Sequence, residues 1–396
     1  MAALARDTVV GVIGVGAMGS GIAQVAATAG HRVLLRDVDD DAARKAVHAI
    51  GRNLDGQVAK QKVDADSAAL ILDRIDVVSG GTDNLTSLAD CGMVIEAIVE
   101  NLEVKRRTFK ELEGVVEPAC VLATNTSSLS VTAIAQACDR PERVLGVHFF
   151  NPPMVMPLVE IVPGVATSPA VVERARSLVD SWGKTTVLAS DTPGFIVNRI
   201  ARPFYGEAIR IYEEGIADPA TIDWAMRELG GFKMGPFELM DFIGNDVNLA
   251  ATRAVFEGMN FDPRYKPSVT QKRLVDAGHL GRKTGRGHYE YGEGATRPEP
   301  VKDEVLGRLI LNRILAMLIN EAVDAVNYGI GTAADVDLAM TRGVKYPKGL
   351  LSWGNEIGLD KVLVTIESLR EEYEEDRYRP SPLLKRMVRE GKQFHS

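Results

Sequence analysis

The apolar run Thr8–Val15 leads straight into Gly14-Val15-Gly16-Ala17-Met18-Gly19. A helix-like segment with Ile22, Val25 and Ala26 on one face follows, and a second apolar run, His31–Arg36, ends at Asp37. Strand, glycine turn, helix, strand and acid in that order leave few folds open. Gly14 allows a tight turn, Gly16 has no side chain to block a phosphate, and Gly19 lets the helix lie close on the sheet. The helix start offers unpaired N–H groups and the positive end of a dipole to an anion. Asp37, about 20 residues on, is placed to accept hydrogen bonds from ribose hydroxyls. The pattern predicts an α/β Rossmann-type domain that binds a dinucleotide through Gly14, Gly16, Ala17, Met18, Gly19 and Asp37. A carboxylate at Asp37 repels a 2′-phosphate and so favours NAD over NADP. Arg36 beside it is the feature that favours the phosphorylated form. The alternative is a glycine-rich turn with no ligand.

The next segments extend the same plan. Val38 to about Val78 is predicted as a helical excursion carrying Arg44, Lys45, Arg52, Lys60 and Lys62. It reads either as a solvated hairpin or as a clamp for the phosphates of a second, large anionic substrate. Gly92–Ala97 runs to Glu100 and a helix with Lys105, and Cys120–Thr124 runs to Asn125-Thr126-Ser127-Ser128-Leu129. Both put polar residues where a parallel strand ends, the edge at which open α/β sheets hold ligands. Ser127 and Ser128 either face a substrate or cap the next helix.

At 396 residues the chain exceeds one ordinary core, and two or three domains are expected. A formal charge of -8 argues against general nucleic-acid binding, so an anionic ligand needs a local basic patch. Cys91, Cys120 and Cys138 form no CxxC pair and read as free thiols of a reducing compartment. The start, MAALARDTVVGVIG, has no leader pattern, and no window offers roughly 18 unbroken apolar residues. A cytoplasmic enzyme with no membrane span and no metal site is expected.

Of six histidines, only His148 lies in a strongly β-like run, Arg143–Phe150, which is followed by Asn151-Pro152-Pro153. Alternation puts His148 on a face with Val144, Gly146 and Phe150, and Glu160 on the face of a second strand shared by Leu158 and Val162. A turn through the prolines would bring the two faces together. Oxidising an alcohol by hydride transfer requires removal of the hydroxyl proton, and a neutral imidazole can take it near neutral pH. A carboxylate on the other ring nitrogen fixes the tautomer. A core histidine with Glu160 on a solvated strand end is the competing reading.

Several motifs then coincide. Gly14–Gly19, Asn125-Thr126-Ser127-Ser128-Leu129, His148-Phe149-Phe150-Asn151-Pro152, Asp191-Thr192-Pro193-Gly194-Phe195-Ile196-Val197-Asn198-Arg199, Met234-Gly235-Pro236-Phe237-Glu238-Leu239 and Gly281-Arg282-Lys283-Thr284-Gly285 occur in order over roughly residues 8–291. Together they resemble the L-3-hydroxyacyl-CoA dehydrogenase family. The resemblance implies that His148 is the acid/base with Glu160 as its partner. It implies that Ser127 and Asn198 hydrogen-bond the reacting oxygen and nearby groups. Asp37, Glu100, Lys105, Asn151 and Lys283 match positions that contact the dinucleotide, and Asn53 and Lys60 match positions near the CoA. The implied reaction is NAD-dependent oxidation of a 3-hydroxyacyl-CoA. A dehydrogenase of the same fold acting on a free hydroxy acid is the first alternative, and a non-enzymatic binding protein the second.

Asp191-Thr192-Pro193 reads as a helix start, with the helix running to about Glu214. A shift of 114 aligns Asn198-Arg199-Ile200 with Asn312-Arg313-Ile314, Glu207 with Glu321, Asp223 with Asp337, Gly235 with Gly349 and Ile243-Gly244 with Ile357-Gly358. Two all-α domains related by internal duplication are therefore expected after the first domain. The boundaries fall at residues 1–190, 191–297 and 298–396, with Tyr291–Pro300 as linker. The second copy lacks a counterpart of the Lys283 segment and reads as structural. Asn312 is then a relic or a cap. A tandem copy could cover within one chain the surface that single-copy family members pair across a dimer, while a homodimer through other surfaces stays open.

Overall fold

Strands covered on both faces read as unbroken apolar runs. Four such strands are β1 (Val10–Ile13), β2 (Val33–Arg36), β4 (Met93–Glu96) and β5 (Val121–Thr124), each buried throughout. In the computed structural model, which describes residues 7–78 and 85–395, they belong to the first of two compact units, Met1–Asp191. The other strands are β3 (Ile75–Val77), β6 (Val144–Phe149), β7 (Leu158–Pro163) and β8 (Thr185–Leu188). The sheet order is β3-β2-β1-β4-β5-β6-β7-β8. All neighbours are parallel except β6 and β7. The helices are α1 (Ala17–Thr28), α2 (Asp40–Ala59), α3 (Ala65–Asp73), α4 (Leu102–Glu113), α5 (Val131–Ala135) and α6 (Pro169–Ser181). One apolar core joins the sheet to α1, α2 and α6 through Ile22, Val25, Ile50, Leu54 and Leu178. A second, on the other face, gathers Phe109, Leu112 and Ile134 from α4 and α5.

Two expectations are corrected here. The excursion read as helical through Val78 ends in β3, which pairs with β2 through Val33–Ile75 and Leu35–Val77. Three residues are too few to show a strand period. Asp191 does not start its own helix either. Its carboxylate accepts bonds from Ser130 Oγ, Val131 N and Thr132 N at 2.7–2.9 Å and so closes the start of α5.

The second unit, Thr192–Ser396, is helical. Its first helices are α7 (Val197–Ile200), α8 (Arg202–Glu213), α9 (Pro219–Trp224), α10 (Pro236–Ile243), α11 (Asn245–Gly258) and α12 (Val269–Asp276). Left-handed Gly194 and Phe195, with φ of +79° and +46°, delay the expected helix until Val197. After the exposed stretch 292–299 come α13 (Glu304–Asn327), α14 (Ala333–Gly343), α15 (Leu350–Ile357), α16 (Leu359–Tyr373) and α17 (Pro382–Glu390). The segments expected as separate domains lie together in this one unit, with α13 packed on α8 and on α16.

The same local devices recur 114 residues apart. Asp223 caps α10 through the Phe237 and Glu238 amides at 2.9 Å, and Asp337 caps α15 through the Leu351 and Ser352 amides at 2.8 and 3.0 Å. Arg199 pairs with Glu321 at 2.7 Å, and Arg313 pairs with Glu207 at 3.2 Å. At a separation of 113, the Tyr265 hydroxyl donates to Glu321 and the Tyr378 hydroxyl to Glu207.

Candidate active site

The ends of β1, β4, β5 and β6 meet at one edge of the first unit because these strands run parallel. At β1 the chain turns through Gly14, whose φ is +100°. A Cβ on Gly14 would lie 2.4 Å from the Ala97 carbonyl oxygen, and one on Gly19 only 1.9 Å from the Gly14 oxygen. These two positions admit no side chain. A Cβ on Gly16 would meet nothing within 4 Å, and no side chain caps α1. The helix start is thus an open cradle of N–H groups of the kind that holds a pyrophosphate. Asp37 Oδ2 accepts from the Val15 amide at 3.0 Å and Oδ1 from the Asp39 amide at 3.2 Å, which fixes the carboxylate beside the turn. Arg36 is 2% exposed, whereas Asp37 is half-buried beside the turn.

At the ends of β4 and β5 two acids organise the loops. Glu96, buried and not singled out from sequence, accepts from Lys105 Nζ, Thr124 Oγ1 and the Ile98 amide. Glu100 accepts through Oε1 from Thr126 Oγ1 at 2.6 Å, the Ser127 and Ser128 amides at 3.1 and 3.2 Å, and Ser128 Oγ at 2.9 Å. Burial opposes its charge, but Lys105 and these donors outweigh it and hold the Glu100 carboxyl below its ordinary value. Lys105 is itself buried, with Nζ 2.5 Å from Glu96 and 3.2 Å from Glu100. The serine pair therefore answers to Glu100, and Ser130, not Ser127 or Ser128, caps α5. Ser127 is exposed at the loop's tip. Asn125 ties the two strand ends together by accepting from the Phe149 amide at 2.8 Å. The acid–x3–acid spacing of Glu96 and Glu100 before Lys105 was the available signal for Glu96.

His148 and Glu160 stand directly opposite each other in the antiparallel β6–β7 pair. His148 Nδ1 lies 2.6 Å from Glu160 Oε2, with the two side chains 6% and 0% exposed. Cross-strand register, and not a chance approach of two loops, sets this contact. With Nδ1–H donated to the carboxylate, Nε2 carries the ring's lone pair. The Phe150 ring lies 4.6 Å from the imidazole, centroid to centroid. Asn151, next in the chain, is exposed. In α2, Asn53 Oδ1 accepts from Gln24 and Gln57, and Lys60 ends the helix exposed.

In the second unit, Asn198 is half-buried in α7. Lys283 is exposed and paired with Asp246 at 2.6 Å. Asn312 is exposed in mid-α13 and so caps no helix.

Residues 9–192 match the family domain described as 3-hydroxyacyl-CoA dehydrogenase, NAD binding domain. Residues 194–291 and 309–394 match the 3-hydroxyacyl-CoA dehydrogenase, C-terminal domain. The 3-hydroxyadipyl-CoA dehydrogenase of Escherichia coli is 38% identical, over 95% of this chain and 96% of that protein. A 3-hydroxybutyryl-CoA dehydrogenase of Bradyrhizobium diazoefficiens is 44% identical, over 74% of this chain and 98% of its own length. A crystal structure of 3-hydroxybutyryl-CoA dehydrogenase from Escherichia coli superposes with a TM-score of 0.90 at 38% identity, covering 97% of this chain and 98% of that one. The chain belongs to the 3-hydroxyacyl-CoA dehydrogenase family.

Proposed function

We propose that the chain oxidises the 3-hydroxyl of an acyl-CoA thioester reversibly, with His148 as the group that moves the hydroxyl proton. The observation that carries this reading is the 2.6 Å contact between His148 Nδ1 and Glu160, at the sheet edge where the glycine cradle also opens. NAD, when bound, supplies the hydride acceptor. Gly14, Gly16, Ala17, Met18 and Gly19 bind its pyrophosphate through the start of α1, and Asp37 binds a ribose. Glu100, Asn151 and Lys283 are further contacts of the dinucleotide. Lys105 serves it through Glu100, since its charge is already shared between two carboxylates.

As hydride leaves C3, His148 Nε2 takes the hydroxyl proton, and Glu160 stabilises the imidazolium that forms. In the reverse direction the imidazolium returns the proton to the alkoxide. Ser127 and Asn198 hydrogen-bond the oxygen on which charge develops. Asn53 and Lys60 lie with the CoA. The three buried free thiols suit a reducing compartment such as the cytoplasm.

We read the helical unit as two related copies. The reciprocal Arg199–Glu321 and Arg313–Glu207 pairs and the doubled caps support this. The second copy then packs on the first and is not a second active site.

Reduction of 3-oxoacyl-CoA thioesters of increasing chain length, with NADH and NADPH in parallel, tests the reading. Turnover with NADH and a strong preference over NADPH are expected. Turnover of the free 3-oxo acid equal to that of its thioester would overturn the choice of substrate.

A further inference from the structure

Pro152, Pro153 and Pro157 leave the loop between β6 and β7 short of backbone N–H groups. The Val155 and Met156 amides both bond to the Pro152 carbonyl, inside the loop's own turn. Among the described residues, no backbone N–H bonds to the carbonyl of Pro153 or of Met156. Lys184 does: its Nζ donates to the Pro153 oxygen at 2.5 Å and to the Met156 oxygen at 3.0 Å. Lys184 stands just before β8, the strand that pairs with β7. One ammonium group thus satisfies the carbonyls that the prolines leave without a donor.

The charge is not demanded by the sheet, because β7 and β8 are already joined through their backbones. Nor is it comfortable. Lys184 is half-buried, and burial pulls its pKa below the ordinary 10.5. Among the described residues no carboxylate pairs with it. Its two strong bonds are spent on the loop alone.

Those bonds fix a contact between two parts of the candidate site. The buried Pro153 ring fills the space over Gly21 in α1, where a Cβ would lie 2.8 Å from the proline Cγ and Cδ. Helix α1 opens at the glycine cradle, and the loop opens at Asn151, three residues past His148. The loop therefore sets the distance between the cradle and the end of β6.

We propose that Lys184 is a positioning residue for dinucleotide binding: it holds residues 151–156 against α1 and so sets Asn151 for its contact with NAD. This rests on the function proposed above, in which Asn151 is such a contact. Lys184 acts through the loop. A displacement of roughly 1 Å in a positioned group is enough to cost about 10²-fold in rate.

The test measures NADH dissociation constants by fluorescence titration in the full-length protein, in Lys184→Ala, Lys184→Arg and Asn151→Ala, and in the variant carrying both alanines. Lys184→Ala is expected to weaken NADH binding by about tenfold or more. Its KM for a 3-oxoacyl-CoA should stay within about threefold, because Asn53 and Lys60 belong to α2 and its end. Propylammonium chloride should restore part of the lost affinity where sodium chloride of equal strength does not. Lys184→Arg keeps charged donors and should bind NADH within about threefold of the parent. In the double variant the loss should fall short of the product of the single losses, since one residue acts through the other. Should Lys184→Ala not fold, Lys184→Met keeps the aliphatic stem and carries the same expectation. A Lys184→Ala protein that melts earlier yet binds NADH within about twofold of the parent overturns the assignment, and so does a double variant whose losses multiply. The expected NADH responses in a protein that turns over no 3-oxoacyl-CoA would instead refute the substrate reading and leave the role of Lys184 standing.

Discussion

At the scale of residues, His148 acts as part of a pair. Glu160 holds Nδ1 and thereby presents the other nitrogen as the base. Glu160→Gln keeps a hydrogen-bond acceptor but loses the charge that stabilises an imidazolium. Its kcat is expected to fall by about 10²-fold or more while the NADH dissociation constant stays within threefold, read by steady-state kinetics and fluorescence titration. Gly19→Ala acts on the other partner. Its Cβ would sit 1.9 Å from the Gly14 oxygen, so α1 must move off the sheet. NADH affinity should drop at least about tenfold and Tm should fall. Unchanged binding in that variant would remove the glycine cradle from the site. The histidine pair was legible in sequence because strand alternation fixes which side chains share a face. The setting of Lys105 was not. Its burial depends on Glu96 across a loop, and local pattern carries no such information.

At the scale of elements, the strand–turn–helix opening was legible because glycine spacing and apolar runs report one geometry. Short or left-handed pieces were not. Ile75–Val77 has too few residues for a period, and the turn through Gly194 and Phe195 interrupts a helix whose apolar spacing runs on undisturbed. The loops that lead into β4 and β5 and the one that follows α5 turn their thiols inward. Cys91, Cys120 and Cys138 are buried, and burial pushes each thiol up to about 12. None should react with an aromatic disulfide reagent in the native protein over minutes, and all three should react once it is unfolded. Rapid labelling of any of them at neutral pH would show that the sheet core opens.

At the scale of the whole molecule, the helical unit depends on a buried ionic network. Burial alone would raise Glu321, but Arg199 and Arg264 with the Tyr265 hydroxyl outweigh it and hold the carboxyl below its ordinary value of 4.5. Asp241 is held below 3.8 in the same way, burial being outweighed by His288 and the Tyr289 amide. A carboxyl depressed in the folded state contributes stability above its unfolded pKa and loses it as pH falls through the folded value. Tm should therefore be flat with respect to these groups near neutrality and fall steeply below about pH 4. Glu321→Gln leaves the Arg199 and Arg264 guanidinium groups with Asp324, paired with Arg264, as the one remaining carboxylate of this cluster, and should cost about 3–5 kcal/mol in denaturant unfolding. A loss below about 1 kcal/mol would mean that this network does not hold α13 to Arg199 and Arg264. The Asn-Arg, Glu, Asp and Gly positions that recur at one offset were legible in sequence. That Arg199 bonds Glu321 and Arg313 bonds Glu207 was not, since spacing along the chain says nothing of which element a side chain faces.

The proton transfer assigned to one imidazole is tested most directly by His148→Gln, with NADH binding and 3-oxoacyl-CoA turnover measured on the same preparation. NADH affinity within threefold of the parent is expected, with turnover reduced by roughly 10²–10⁴-fold. Turnover within tenfold of the parent would contradict the assignment, whatever the fold around it.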